Sequence, residues 1–181
     1  MSGFEIRFPT TDVALSAREL VERMEAPYLI NHSIRAYLFG SVLAQQEGLA
    51  PGDDYDDELL FLGSVLHDVG LTDEGNGNQR FEVDGADLAV RFLREQSVSE
   101  ERTQVVWDAI ALHTSAGIAN RKQPEVAFAQ RGTHVDVTGT GAHRLPSGFA
   151  DEVHAQFPRL KDSVAQFGGS CGECQVEARE V

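Results

Sequence analysis

The sequence predicts an all-α, single-domain helical bundle. Three observations lead there: apolar residues recur at helical spacing through most of the chain, the intervals between these segments carry helix caps and stops, and no stretch alternates apolar and polar residues between regular turn signals. With 181 residues, 41% hydrophobic and 24% charged, the chain has the composition of an ordinary globular protein and the length of one domain of roughly 150 residues plus its ends. No internal repeat and no second domain is visible.

The elements follow in order. Residues 13–24 place Val13, Leu15, Leu20, Val21 and Met24 among Ser, Arg and Glu, with Thr11 or Asp12 as the N-cap. After Pro27, residues 29–47 carry Ile30, Ile34, Tyr37, Leu38, Val42 and Leu43 on one stripe, and Gly48 supplies a stop. The acidic run Asp53, Asp54, Asp56, Asp57 and Glu58 reads as first-turn carboxylates at the positive end of a third helix. That helix is apolar on nearly every side over residues 59–66, as expected of the central helix, and closes at His67-Asp68-Val69-Gly70 with Gly70 as its C-cap.

A polar loop rich in Gly and Asn, residues 73–80, follows directly. A fourth helix spans residues 82–95, and a fifth opens at Ser99 and runs through Val105, Val106, Ile110 and Leu112 to His113. Pro124 begins a sixth, to Val137, and a short last helix from Gly148 to Phe157 is stopped by Pro158.

Charge narrows the partners. Fifteen Lys+Arg against 29 Asp+Glu leave a net charge of -14, and only Lys122 and Lys161 are lysines. Nucleic-acid binding is excluded as an expectation, because its main term is phosphate neutralisation by Lys and Arg. No apolar run approaches the roughly 20 residues that a membrane helix needs. The first ten residues lack a basic-then-apolar secretory pattern, and the only cysteines, Cys171 and Cys174, lie close together, so a reducing cytoplasm is the expected location. Cys171-Gly-Glu-Cys174 has no second half and no strand-helix context, and reads as part of a loose tail.

The chemistry concentrates in histidine. His67 and Asp68 are neighbours, which on a continuing helix would point about 100° apart; at a helix end that limit relaxes. An imidazole and a carboxylate at the mouth of a buried helix make half of a first-row metal site, and the remaining ligands come from facing helices. His32, between Ile30 and Ile34, lies near the apolar stripe of the second helix. Asp136, between Val135 and Val137, is a carboxylate whose burial demands a partner or an ion. Each histidine alone, His32, His113 and His134 alike, reads more readily as hydrogen-bonded core or surface than as a ligand; the ordered set is what carries the signal.

That set, Asn31-His32-Ser33, then Leu66-His67-Asp68-Val69-Gly70, then Asp136-Val137-Thr138-Gly139, resembles the HD superfamily of metal-dependent enzymes over about residues 25–165. The resemblance implies a helical bundle of the HD-domain type, with His32, His67, Asp68 and Asp136 as metal ligands. It divides the chain into an N-terminal helix packing on the core (1–24), the HD domain (25–165) and a flexible tail (166–181). Within the superfamily, Arg80-Phe81-Glu82-Val83-Asp84-Gly85-Ala86 and Phe157-Pro158-Arg159-Leu160-Lys161 look like the cyanamide hydratase group, and Leu71 stands where the phosphohydrolase branch often carries Lys.

Two imidazoles and two carboxylates suit Zn(II), Fe(II) or Mn(II), and ligand type alone does not choose among them; Zn(II) is the first expectation for this divalent transition metal, with Fe(II) or Mn(II) as alternatives. Such an ion makes hydroxide available near neutral pH. The expected activity is addition of water to a small nitrile-like substrate, cyanamide to urea. The alternatives are an HD-type phosphohydrolase acting on a nucleotide or phosphate monoester, for which Arg35 or Arg80 would have to form the clamp, and a non-catalytic HD binding module. The shortage of lysine favours a small, weakly charged substrate. Asp68, His113 and Glu82 are the catalytic candidates: His113 as a proton donor or polar contact, Glu82 as an acid/base or supporting group with Asp84 as a weaker one. The partners expected are a small-molecule substrate, with neither nucleic acid nor membrane; assembly into a homo-oligomer is left open.

Overall fold

In the computed structural model, which describes residues 7–160, seven α-helices and no strand are present among the described residues. They are α1 (Asp12–Met24), α2 (Pro27–Gln46), α3 (Asp57–Val65), α4 (Phe81–Glu95), α5 (Glu100–Leu112), α6 (Pro124–Thr138) and α7 (Phe149–Gln156). Five of the seven starts have a side-chain cap or a proline as their local cause. Thr11 Oγ1 accepts from Ala14 N at 3.3 Å, Asp56 Oδ1 from Leu59 N at 3.2 Å and Ser99 Oγ from Arg102 N at 3.5 Å, while Pro27 and Pro124 open α2 and α6. Gly48 (φ 86°) follows the end of α2. Within the acidic run, Asp57 and Glu58 occupy the first turn of α3 that Asp56 caps, and Arg102 bridges Asp56 and Glu58.

Every residue of α3 from Leu59 to Val65 is buried, and the helix packs on α1, α2, α5 and α6, so it is the central helix. The largest helix–helix contact is between α2 and α6. These two run antiparallel in a register stepped by four residues. A Cβ on Gly40 would lie 2.5 Å from Phe128 O, and one on Gly132 would lie 2.0 Å from Ala36 O. Glycine at both positions therefore lets the backbones touch. One turn further in the same register, His32 on α2 meets Asp136 on α6 at 2.6 Å.

The doublet region departs from expectation in two respects. Helix α3 stops at Val65, before His67, and residues Val69–Leu71 form a separate 3-10 turn. Gly70 is not a left-handed cap. Its missing side chain makes room, because a Cβ there would fall 2.0 Å from Phe81 O and 2.9 Å from the nitrogen of Gly85. The turn thus seats directly against the start of α4, which delivers Phe81 and Glu82 beside the doublet. The polar loop before α4 is pinned by Asp84, which accepts from Gly77 N at 2.9 Å and Gln79 N at 3.1 Å. No helix is long and apolar enough to cross a membrane among the described residues. Cys171, Cys174, Lys161 and the tail from 166 lie outside the described residues.

Candidate metal centre

Because α3 has ended before it, the His67-Asp68 pair sits on a turn, and both side chains face the same interior point. His67 is 1% exposed and Asp68 2%. His67 Nδ1 lies 2.6 Å from Ser64 O, and a carbonyl can only accept, so this nitrogen carries the proton and Nε2 carries the lone pair. His32 Nδ1 donates to Asp136 Oδ2 at 2.6 Å, which likewise directs its Nε2 inward. The two Nε2 atoms stand 3.1 Å apart, and Asp68 Oδ2 is 3.3 Å from His67 Nε2 and 3.7 Å from His32 Nε2.

This grouping fits a cation. Two inward lone pairs and a carboxylate oxygen repel at such range unless a positive charge lies among them, and Asp68 Oδ2 is buried with no hydrogen-bond partner among the described residues. Ligand bonds of about 2.0–2.2 Å at tetrahedral angles separate donor atoms by roughly 3.3–3.5 Å, in the range found here. His32, His67 and Asp68 are therefore able to hold a metal ion. Burial pushes the His67 imidazole down to about 3, which keeps it neutral and its nitrogen available.

His113 joins them from the end of α5. It is 3% exposed, its Nδ1 donates to Ile110 O at 2.7 Å, and its Nε2 lies 3.8 Å from Asp68 Oδ1. Its ring packs edge-on against His67, centroids 4.7 Å apart, and burial lowers its basicity. Three imidazoles thus surround one carboxylate.

Asp136 is placed differently from the expected ligand set. Its Oδ2 accepts from His32 Nδ1 and from Arg35 Nη2 at 2.7 Å; its Oδ1 accepts from Arg35 Nε at 2.7 Å and Arg159 Nη2 at 3.2 Å. No Asp136 oxygen is among the converging donor atoms.

A cavity of about 320 Å³ opens on the cluster, lined by His32, His67, Asp68, His113 and Glu82 together with Leu71, Phe81, Thr114, Thr133, His134, Val137 and Thr138. Glu82 is 3% exposed, and its Oε1 accepts from Thr114 Oγ1 at 2.7 Å and from Arg80 Nη2 at 2.6 Å. Burial alone would raise its carboxyl, but the bonds from Arg80 and Thr114 prevail and bring it below the usual carboxylate range. Asp84 serves the loop and does not line the cavity.

The HD domain family matches residues 29–137, which span His32, the doublet and Asp136. The chain belongs to the HD domain family. Two proteins of Saccharomyces cerevisiae, cyanamide hydratase DDI2 and cyanamide hydratase DDI3, are each 23% identical to this HD domain protein over 155 residues, covering 84% of this chain and 68% of theirs. Sequence reasoning brought His32, His67, Asp68, His113 and Glu82 to this HD domain's site but missed several of its neighbours. Thr114 and Thr133 carry no signal of their own in the sequence. Glu25, at the end of α1, was also missed: it is 7% exposed, neither oxygen accepts a hydrogen bond from the described residues, and burial followed by the charge of Asp68 raises its carboxyl well above the ordinary value.

Proposed function

We propose that this HD domain adds water to a small, uncharged nitrile-like substrate, with cyanamide the first to test, and that His32, His67 and Asp68 hold the divalent transition ion it uses, Zn(II) being our first choice. One observation carries the substrate class: among the described residues the cavity is lined by two carboxylates, Asp68 and Glu82, and by no Lys or Arg. The two arginines that a phosphate clamp would require are committed elsewhere. Arg35 is 1% exposed and bound to Asp136, and Arg80 is bound to Glu82. An anionic phosphate ester would meet two carboxylates there, with the metal ion as its sole compensating charge. The two yeast relatives are named as cyanamide hydratases, which supports the same reading.

When bound, the ion supplies an activated water near neutral pH and a Lewis acid beside it. Addition of water across C≡N puts oxygen on carbon and a proton on the terminal nitrogen, and the resulting isourea tautomerises to urea. The chain must then move one proton from oxygen to nitrogen. Glu82, kept ionised by Arg80 and Thr114, is the acceptor, and the neutral Nε2 of His113 offers a second proton site across the cavity. Leu71, Phe81 and Val137 supply the apolar part of the cavity wall.

The test combines elemental analysis of the purified protein with assays against cyanamide and a panel of nucleotides, using His67→Ala as control. We expect a stoichiometric transition metal, urea from cyanamide, and loss of both in His67→Ala. Phosphate release without cyanamide turnover would transfer the site to the phosphohydrolase reading, and failure to bind any metal would end both.

A further inference from the structure

From the geometry behind His32 we infer that Asp136 is a positioning residue and not a metal ligand: with Arg35 and Arg159 it forms a clamp that holds the His32 ring and makes Nε2 its ligand atom. A carboxylate has about four lone-pair sites. Those of Asp136 are met by His32 Nδ1 and Arg35 Nη2 on Oδ2, and by Arg35 Nε and Arg159 Nη2 on Oδ1. The bidentate Arg35 fork fixes the plane of the carboxylate, and that plane sets the direction from which Oδ2 accepts the imidazole proton.

The clamp is itself anchored. Arg35 Nη1 donates to Phe157 O at 2.9 Å, Asn31 Nδ2 donates to Pro158 O at 2.9 Å, and Arg159 reaches the main-chain oxygen of Asp136. The segment after α7 therefore straps the back of the metal centre, joining α2 to the end of α6. His67 and His113 have simpler holders: each gives its Nδ1 proton to the carbonyl three residues earlier. His32 lies within α2, where main-chain carbonyls are occupied by the helix, so its Nδ1 needs an acceptor from another element. Asp136 on α6 supplies it, in the role that a carboxylate commonly plays behind a ligating histidine.

This inference rests on the metal reading of the site and not on the substrate. Co(II) is the probe, with affinity measured by competition against a chromophoric chelator and the ligand field by visible absorption. Asp136→Asn is expected to weaken Co(II) binding about 10–100-fold while its absorption bands keep the parent's position and intensity. Arg159→Gln, at a half-exposed position, is expected to weaken binding in the same direction by less, with an unchanged spectrum. In the Zn(II)-loaded parent, nitrogen–proton NMR correlations of the His32 ring should show a protonated Nδ1. A changed Co(II) spectrum in Asp136→Asn, a deprotonated Nδ1 on His32, or parent-like affinity in both variants overturns the clamp. Should Asp136→Asn fail to fold, Arg159→Gln and the His32 resonance decide by the same criteria. A parent that binds no Co(II) overturns the metal reading together with the clamp, whereas Co(II) binding without cyanamide turnover leaves the clamp intact and removes only the substrate.

Discussion

Neither oxygen of Glu25 accepts a hydrogen bond from the described residues, and Asp68 adds like charge to a carboxyl already disfavoured by burial. A carboxyl whose value is raised on folding contributes fully below its unfolded value of 4.5 and loses that contribution as the pH climbs through the folded value. Glu25→Gln should therefore raise stability at pH 7–8, by about 1–3 kcal/mol, and the gain should vanish below about pH 4. Urea melts of parent and variant across that range check it; an equal effect at both ends would contradict the assignment. Glu82→Gln makes a separate prediction. It keeps the shape and the bond from Thr114 but removes the proton acceptor, so kcat for cyanamide hydration should fall about 10²–10⁴-fold with metal content unchanged. His113→Ala should lower turnover in the same assay, and a variant that keeps its metal and most of its turnover would remove His113 from the proton path.

The sequence exposed such residues unevenly. His67-Asp68 was legible as part of the ordered set His32, His67-Asp68 and Asp136, since a lone His-Asp pair carries little signal. Asp136 was legible as a buried carboxylate needing a partner, yet which partner it takes depends on Arg35 and on Arg159, far away in sequence and adjacent only after folding.

Among the elements, the α2–α6 pair determines whether His32 and Asp136 meet. Gly132→Ala would force its new methyl onto Ala36 O, 2.0 Å away, so the two helices must separate. We expect a loss of about 1–3 kcal/mol or more in stability, measured by denaturant unfolding, and weaker Co(II) retention because the His32–Asp136 contact lies one turn along the same interface. The analogous contact at Gly70 shows why glycine in the doublet motif was misread. Its position just after an apolar helix suggests a cap, but the helix has already ended at Val65, and what the site requires is close approach of the 3-10 turn to Phe81 and Gly85. Periodicity and caps located all seven helices; no local signal reports a backbone contact between elements.

For the molecule as a whole, metal and proton act on the same interior. An ion that binds only the folded state stabilises it by about 2.7 kcal/mol at 100 times its Kd, which for a chain of this size raises Tm by roughly 5–11 °C. Thermal melts with Zn(II) and then with excess chelator should show that shift and its reversal. The metal-free protein should also be acid-sensitive. His67 is held at about 3 by burial against an unfolded value of 6.5, so its contribution is present above 6.5 and is lost as the pH falls from there toward 3. Each unit of that window weakens stability by up to about 1.4 kcal/mol for this group. A melting temperature that does not fall between pH 6.5 and 4 would show that the imidazole is not buried as described.

The sequence by itself determined the fold class, the central apolar helix and the histidine and carboxylate set, because spacing, caps and residue chemistry are local properties that survive without coordinates. It also set the balance of charge that disfavours phosphate. Only the tertiary structure decided which donor atoms converge, that both candidate phosphate arginines are already paired, and that the Asp136 oxygens turn toward His32, Arg35 and Arg159. Hydrogen bonds and charges act over a few ångströms, whereas Asp136 and its partners His32, Arg35 and Arg159 lie tens of residues or more apart along the chain. Their meeting is fixed by how closely α2, α6 and the strap after α7 can pack.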